Sequence, residues 1–501
     1  MKKVNKLIIV GGGTAGWMAA TSFATHLKHL DIQITLVDSS HIGTVGVGEA
    51  TIPSIVNFNH QLGIDEKDFI QSTKATFKLG IEFENWNTKG SRFFHPFSDY
   101  GVANEDVDFH HYYYRLKKEL NSDSQLEDYS IACQLAKSNK FAQPQVPSSS
   151  PLADFGYAYH FDAGLYAKYL EQIAIANGVE HLDANVAEVN LDPESGFICS
   201  ITLEDNSQLE GDFFIDCTGF RGLLIEKALE TGYIDWSQYL PCDSAVAVQS
   251  EAIGAPLPYT RSIADDSGWR WRIPLQHRMG NGYVFCSKFT SHDEAKSVLE
   301  DSIEGSLLGN IKSFTFKAGR RKKVWNKNCY ALGLASGFLE PIESTSISLI
   351  QTGIAHLLNF FPAYGYDKVL EDEVNRRHQH EMESIRDFII LHYKLTNRTD
   401  TPFWQYCQKL PIPRTLEHKI QLFQNTGKIV EYLPEAFEKS SWLTLFHGFD
   451  AHPKHHDNRA DLFPIQGIES KLNAMRSAIA NAASEAPLHT EFMNTHKLIV
   501  D

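Results

Sequence analysis

No apolar run in this 501-residue chain approaches the length of about twenty residues that a bilayer span needs, so no membrane-spanning helix is expected. Cysteine is scarce and dispersed. Cys133, Cys199, Cys217, Cys242, Cys286, Cys329 and Cys407 form no C-x-x-C pair. That excludes a disulfide framework and points to reduced thiols in the cytoplasm. Basic residues are outnumbered, 46 against 62 acidic, for a formal charge of -16. Such a surface repels phosphate backbones and anionic lipid, which excludes nucleic acid and membrane as partners. There is no internal repeat and no sustained heptad, so solenoids and coiled coils are excluded. The histidines of "HPKHHD" (His452, His455, His456) stand in a loop-like context, with no helix to bring a ligand pair onto one face. They read as a solvated loop, and no metal is expected.

What is present is a large globular protein. The hydrophobic fraction is 43%, enough for two or three structural units. The opening "MKKVNKLIIVGGGTAG" has basic residues before an apolar run that soon breaks into three glycines, which predicts a buried strand rather than a signal peptide. A helix is expected through Ala24, then a strand "QITLVDS" ending near Asp38. Strand, glycine turn, helix, strand is the opening of a nucleotide-binding fold. Gly11, Gly13 and Gly16 stand in the G-x-G-x-x-G register in that context. The first permits a tight turn and the second lets a pyrophosphate reach the backbone. The helix start, with Thr14 and Ala15, offers N–H donors and the positive end of the dipole. Asp38 is placed for a ribose hydroxyl. Two later strands, "FFIDCTGFRG" with Asp216 and Gly219, and "NCYALGLASGF" with Gly333 and Leu334, add further strand ends. Several strand ends on one extended cofactor favour FAD over NAD.

Pro144, Pro147 and "SSSPLADFG" mark a loop or insertion. A helix is expected from 163 to 177. "WRWRIPLQ" and "GYVFCSKF" read as a strand pair across "HRMGNG". "GRRKK" (residues 319–323) reads as an exposed turn. From Ser344 onward the pattern is helical.

In "ATFKLGIEF", period two puts Phe77, Leu79, Ile81 and Phe83 on one face and Lys78, Gly80 and Glu82 on the other. The apolar face is core. Lys78 then points at water, with Glu82 as an ion-pair partner, or at a site. Glu343, in "EPIESTS", fits a first-turn helix carboxylate on sequence alone. Trp269 and Trp271, two apart, share a strand face and fit ordinary aromatic packing. Trp442 fits a core tryptophan.

Taken together, these stretches resemble flavin-dependent halogenases of the tryptophan halogenase type. "VGVGEATIPS" (residues 45–54) is similar to that family's flavin-adjacent segment, which implies cofactor contacts at Gly48, Glu49 and Ala50. "GWRWRIP" matches its W-x-W-x-I-P signature through Trp269, Trp271, Ile273 and Pro274, implying a wall between flavin and substrate. "TFKLGIEF" resembles the segment of its catalytic lysine, here Lys78, and "FLEPIESTS" that of its catalytic glutamate, here Glu343, assisted by Ser344. "FFHPF" resembles the segment flanking the aromatic substrate, here His95 and Phe97, with Trp442 as a third wall. "YAYHFDA" (residues 157–163) is also family-like.

The resemblance implies an α/β (α+β) architecture: a three-layer ββα, flavoprotein monooxygenase-like module over residues 1–365, with an insertion at about 100–160. A mainly helical subdomain, residues 366–501, would complete the substrate pocket. It implies FAD, used as FADH2, and a chloride or bromide ion. A flavin hydroperoxide and halide give hypohalous acid, which travels internally to an aromatic pocket, where Lys78 holds it or becomes a haloamine. Halide would sit on the backbone N–H groups of Thr345 and Ser346. The family's F-x-x-P-x-x-S-x-G is met at Phe338, Pro341 and Ser344, but the last position is Ser346, which bears on halide selectivity. No second complete dinucleotide fingerprint exists, so a separate flavin reductase is expected to supply FADH2, to a monomer or homodimer. Members acting on free tryptophan carry paired tyrosines, a glutamate and Phe-Trp. Here "KIVEYLPEAFEKSSW" has only Tyr432, with Ser441 before the tryptophan. An unclamped zwitterion is costly to bury. A small aromatic, an indole without the free amino-acid head, is therefore expected. A flavin-dependent aromatic hydroxylase is the alternative, and a flavoprotein that only carries a ligand is a third.

Overall fold

The computed structural model describes residues 3–40, 49–104, 106–145, 150–153, 155–433 and 435–500. Gly48, expected at the cofactor, lies outside the described residues. The chain forms two compact units that interleave in sequence. One comprises Met1–Ala75, Phe161–Ser237 and Thr315–Glu383; the other comprises Thr76–His160, Gln238–Phe314 and Ser384–Asp501. This replaces the sequential division expected at residue 365. Contacts far apart in sequence outweigh chain continuity here, so the helical stretch after 384 shares a unit with the strands around Lys78.

In the first unit a sheet runs in the order Trp325–Asn326, Cys329–Ala331, Phe213–Asp216, Lys6–Val10, Gln33–Asp38, Glu180–Asp183. All but the first strand are parallel. Leu7, Ile8 and Ile9 are buried on both faces, as a parallel central strand requires. The helix Thr14–His26 packs beside Ala163–Ala176 and Ser346–Asn359. "GRRKK" is no exposed turn. Gly319–Arg321 is a strand paired with Tyr233–Asp235, and both arginines are buried. Arg321 donates to Glu226 at 2.6 Å and to the Ala335 carbonyl at 3.0 Å; Arg320 meets Glu383 at 3.1 Å. Planar guanidinium forks make such burial tolerable.

In the second unit six strands of one sheet follow in the order Ser244–Ser250, Met279–Phe285, Gly268–Pro274, Thr260–Ala264, Gly80–Glu84, Arg92–Pro96. The expected tryptophan hairpin is present with a shorter connection. Leu275 N–H donates to the Arg278 carbonyl at 2.8 Å, and Gly280 and Gly282 belong to the returning strand. Gly282 is there for space: a Cβ would lie 2.0 Å from the Trp271 ring. Val246, Val248, Tyr283 and Phe285 pack against Ala295 and Leu299 of the helix His292–Asp301 to form a core. Among the described residues no helix is long and apolar enough to cross a membrane.

Candidate active site

The glycine turn in the first unit is built by close approaches. Gly11 has φ 111°, and a Cβ there would lie 2.4 Å from the Cys217 carbonyl oxygen. A Cβ at Gly16 would lie 1.8 Å from the Gly11 oxygen, which is how the helix comes down onto the strand. At Gly12 a Cβ would be 1.7 Å from Asp38 Oδ2, so the acidic residue reaches the turn. Gly13 caps the helix without a side-chain bond, and nothing lies within 4 Å of where its Cβ would be. Residues 11–15 stay half-buried while Gly16 to Ala24 are buried. A helix N-terminus with unpaired donors, glycine walls and open space in front fits a pyrophosphate-bearing cofactor such as FAD.

Neighbouring residues brace this turn. His181 Nε2 lies 2.6 Å from Asp38 Oδ1. Asp216 is fully buried and accepts four bonds, from Thr218 N–H and Oγ1 and from the Leu224 and Ile225 N–H groups, at 2.6–2.9 Å. Its lone pairs are spent on the turn after its strand, which carries Gly219 at φ 67° with nothing within 4 Å of a Cβ there. A Cβ at Gly333 would lie 3.0 Å from Ala15 Cβ, so the turn bearing Gly333 and Leu334 abuts the same helix start.

Ala50 is buried and Glu49 half-buried. Burial, then the charge of Asp162, pushes Glu49 from 4.5 up to about 7. The raised value favours the protonated folded state. Stability from this group is full below 4.5 and is lost as pH rises through about 7. Glu49→Gln should match wild type near pH 4.5 and exceed it at pH 8 by on the order of 3 kcal/mol, read by denaturant unfolding at both pH values.

Glu343 and Ser344 are buried just before the helix Ser346–Asn359. Ser344 takes φ 59°, a left-handed conformation rare for a residue with a Cβ and worth about 1–3 kcal/mol of strain. Thr345 is the N-cap of that helix, and its buried Oγ1 has no hydrogen-bond partner. Ser346 opens the helix. Its first turn presents N–H donors without intrahelical acceptors, a setting for a small anion.

In the second unit the stretch read with period two is broken at Leu79 into two strands, Thr76–Lys78 and Gly80–Glu84, which belong to different sheets. Phe77 stacks on Phe141 at 4.0 Å and meets Phe492 edge-on at 5.6 Å. On the opposite face lie Thr76 and Lys78, and Lys78 has no exposed surface. The solvated-lysine alternative fails. Glu82 is bracketed instead by Arg92 at 3.8 Å and Arg261 at 4.0 Å. The Lys78 Nζ sits 5.2 Å from the Phe97 ring centroid, in cation–π range. Phe97 is pinned there because its N–H donates to the Leu79 carbonyl at 2.9 Å. Gly80 lets the strands close: a Cβ would lie 2.2 Å from the His95 oxygen.

His160 is the neighbour that sequence reasoning missed. It pairs across from Thr76 on the strand Ala158–Phe161. The Thr76 hydroxyl donates to the Pro274 carbonyl at 2.7 Å, so His160 Nδ1–H donates to Thr76 Oγ1 at 3.1 Å. Its Nε2 then accepts from the Thr260 hydroxyl at 2.9 Å. Burial first, then the charge of Lys78, holds His160 well below 6.5, so the ring is neutral. A polar residue inside the apolar strand of "YAYHFDA" was the available signal.

His95 and Trp442 belong to one aromatic cluster. His95 lies 5.9 Å from Phe388 and 6.3 Å from Phe437, and these two stack at 3.8 Å. Trp442 meets Phe388 edge-on at 5.0 Å, and its buried Nε1 has no hydrogen-bond partner. Lys419 Nζ lies 4.4 Å from the Trp442 ring, bound to both Glu435 oxygens at 2.9 and 3.0 Å and to the Val430 carbonyl at 2.6 Å. Trp269 is buried, 6.4 Å from Trp86 and 6.0 Å from the half-buried Trp271; Ile273 and Pro274 are buried.

A family model described as tryptophan halogenase matches residues 6–464. The chain belongs to that family. It is a flavin-dependent halogenase. It is 33% identical to the 7-chloro-L-tryptophan 6-halogenase KtzR of Kutzneria sp. (strain 744), over 97% of this chain and 98% of the relative. Two solved structures superpose with TM-scores of 0.95. BrvH, a flavin-dependent halogenase from Brevundimonas sp. BAL3, is 44% identical, with 98% of this chain and 99% of that one covered. Xcc4156, a flavin-dependent halogenase from Xanthomonas campestris, is 43% identical, with 99% and 98% covered. The halogenase thus shares its α/β fold and helical C-terminal region with enzymes of known structure.

Proposed function

We propose that this halogenase places chlorine or bromine on an electron-rich ring, an indole lacking the free amino-acid head, with Lys78 delivering the oxidised halogen. The burial of Lys78 beside Phe97 carries this reading. Reduced FAD, when bound, supplies the electrons with which oxygen is activated and halide oxidised to hypohalous acid. Gly11, Gly13, Gly16 and the helix start at Thr14 and Ala15 bind its pyrophosphate, with Gly219 leaving it room and Gly333 packed against Ala15 beside it. The N–H donors at Thr345 and Ser346 hold the halide. Lys78 hydrogen-bonds hypohalous acid, or loses water with it to form a haloamine, and the ring then takes the halogen. Glu343 accepts the proton that the ring releases. Trp269 and Trp271 keep cofactor and substrate chemistry apart. A separate reductase supplies FADH2.

The absence of a free amino-acid head is supported by the paired charges beside Trp442. Lys419 has all three N–H donors in use, and Glu435 is matched to it. Neither is left to hold a zwitterion, whose unpaired burial is costly. Tyr432 is turned outward, bonded to His418 at 2.6 Å. The decisive assay supplies a generic flavin reductase, FAD, bromide and a panel of indoles and phenols, with products read by mass. A gain of bromine is expected, and indole should turn over at least tenfold faster than free tryptophan. A gain of oxygen would make this a hydroxylase, and preference for tryptophan would refute the substrate class.

A further inference from the structure

The second unit contains a cavity of about 330 Å³ that the halogenation chemistry does not use. It forms where the helix Phe109–Leu120 meets the end of the helix Lys439–Gly448 and the loop after it. Three lysines (Lys117, Lys118, Lys454) and four histidines line it, and no carboxylate does. In a chain of formal charge -16, this is a local reversal of sign. A concave positive wall in a negative molecule focuses anions.

The remaining wall is aromatic. Tyr114 lies 5.8 Å from His452 and 6.4 Å from His447, and the two imidazoles are 5.6 Å apart. Tyr113 meets His447 edge-on at 5.8 Å. Burial, then His452 and Lys117, lowers His447 to about 4, so its ring is a neutral stacking face at neutral pH. The nearby acids are already engaged. Asp461 holds His456 at 2.8 Å and Arg115 at 3.3 Å, and Asp450 stands 4.0 Å from His452. Lys117 spends one donor on the Ser122 carbonyl at 2.9 Å and Lys454 one on Asn425 at 3.1 Å. Each ammonium has three donors, so both keep capacity for a ligand. Lys118 and His455 are exposed at the rim. Among the described residues no group of three His, Cys, Asp or Glu is arranged to hold a metal ion.

We propose that this cavity is a binding site for an aromatic phosphate monoester, with the ring against Tyr114, His447 and His452 and the phosphate on Lys117, Lys118 and Lys454. Rings supply stacking and the ammonium groups supply charge, so neither half of the ligand suffices alone. The claim is independent of the halogenation reading.

The test loads the full chain with FAD and titrates it calorimetrically with phenyl phosphate, inorganic phosphate and phenol. One saturable phenyl phosphate site is expected, at least tenfold tighter than either fragment, and indole should not displace the ligand. The doubly substituted Lys118→Glu, Lys454→Glu protein reverses two exposed charges without touching the core. It should bind phenyl phosphate at least tenfold more weakly while FAD binding and the thermal unfolding midpoint stay as in wild type. His452→Ala should reduce the advantage of phenyl phosphate over inorganic phosphate. No saturable binding, equal affinity for the two phosphates, displacement by indole, or wild-type affinity in the charge-reversed protein would each overturn the proposal.

Discussion

Lys78→Ala should abolish halogenated product, a fall of at least about 10³-fold, while FAD binding and halide-dependent formation of hypohalous acid continue. The size of the effect follows from where the amine is. Lys78 has no exposed surface, and its strand neighbour Phe77 is locked between Phe141 and Phe492, so the side chain cannot swing to solvent. Among its neighbours, His160 cannot take over. Both of its ring nitrogens are bound to threonine hydroxyls, and burial keeps the ring neutral. Removing one amine therefore removes the only delivery step proposed here. Loss of packing is a separate effect, and Lys78→Met distinguishes it. Methionine fills a similar volume without an amine, so it should fold like wild type and still fail to halogenate. Product measured by mass, together with trapping of hypohalous acid in solution, reads both halves. Halogenation at the wild-type rate in either variant would show that the amine is not the carrier.

Local geometry was legible in the sequence, and long-range assembly was not. The glycine turn could be read because each glycine answers a short-range demand: positive φ at Gly11 and helix contact at Gly16. Lys78 could be placed opposite Phe77 because alternation is a property of one short strand, Thr76–Lys78, whereas the break at Leu79 that sends Gly80–Glu84 into another sheet could not be read. The interleaved units could not be read, since Gly80–Glu84 pairs with Thr260–Ala264, far away in sequence. For the same reason the cluster around His95 was only half visible. Phe388, Phe437 and the Lys419–Glu435 pair reach it from distant helices and loops, and nothing in their own surroundings marks them. Arg320 and Arg321 looked exposed because a charge run usually is. Their carboxylate partners, Glu383 and Glu226, lie 63 and 95 residues away.

Glu343→Gln is the second large effect, an expected loss of about 10²–10⁴-fold in product formation, the range that removal of a positioned acid or base produces. Glutamine keeps the side-chain shape and its ability to accept a hydrogen bond, but it cannot take a proton from the ring. The loss should therefore fall on kcat, with KM for the aromatic substrate and FAD binding near wild type. Structure explains why so small a change is a fair test. Glu343 is buried, and Ser344 next to it holds a left-handed backbone that a residue with a Cβ adopts only under constraint. That strain is retained beside a helix start whose N-cap, Thr345, has an unbonded hydroxyl. A merely structural carboxylate would make a different prediction. Glu343→Gln would then lower the unfolding midpoint and leave the turnover of folded enzyme intact. Single-turnover measurement of brominated indole, set beside thermal unfolding of the same preparation, separates the two. Turnover within twofold of wild type would remove Glu343 from the chemistry and leave Lys78 to act without a base.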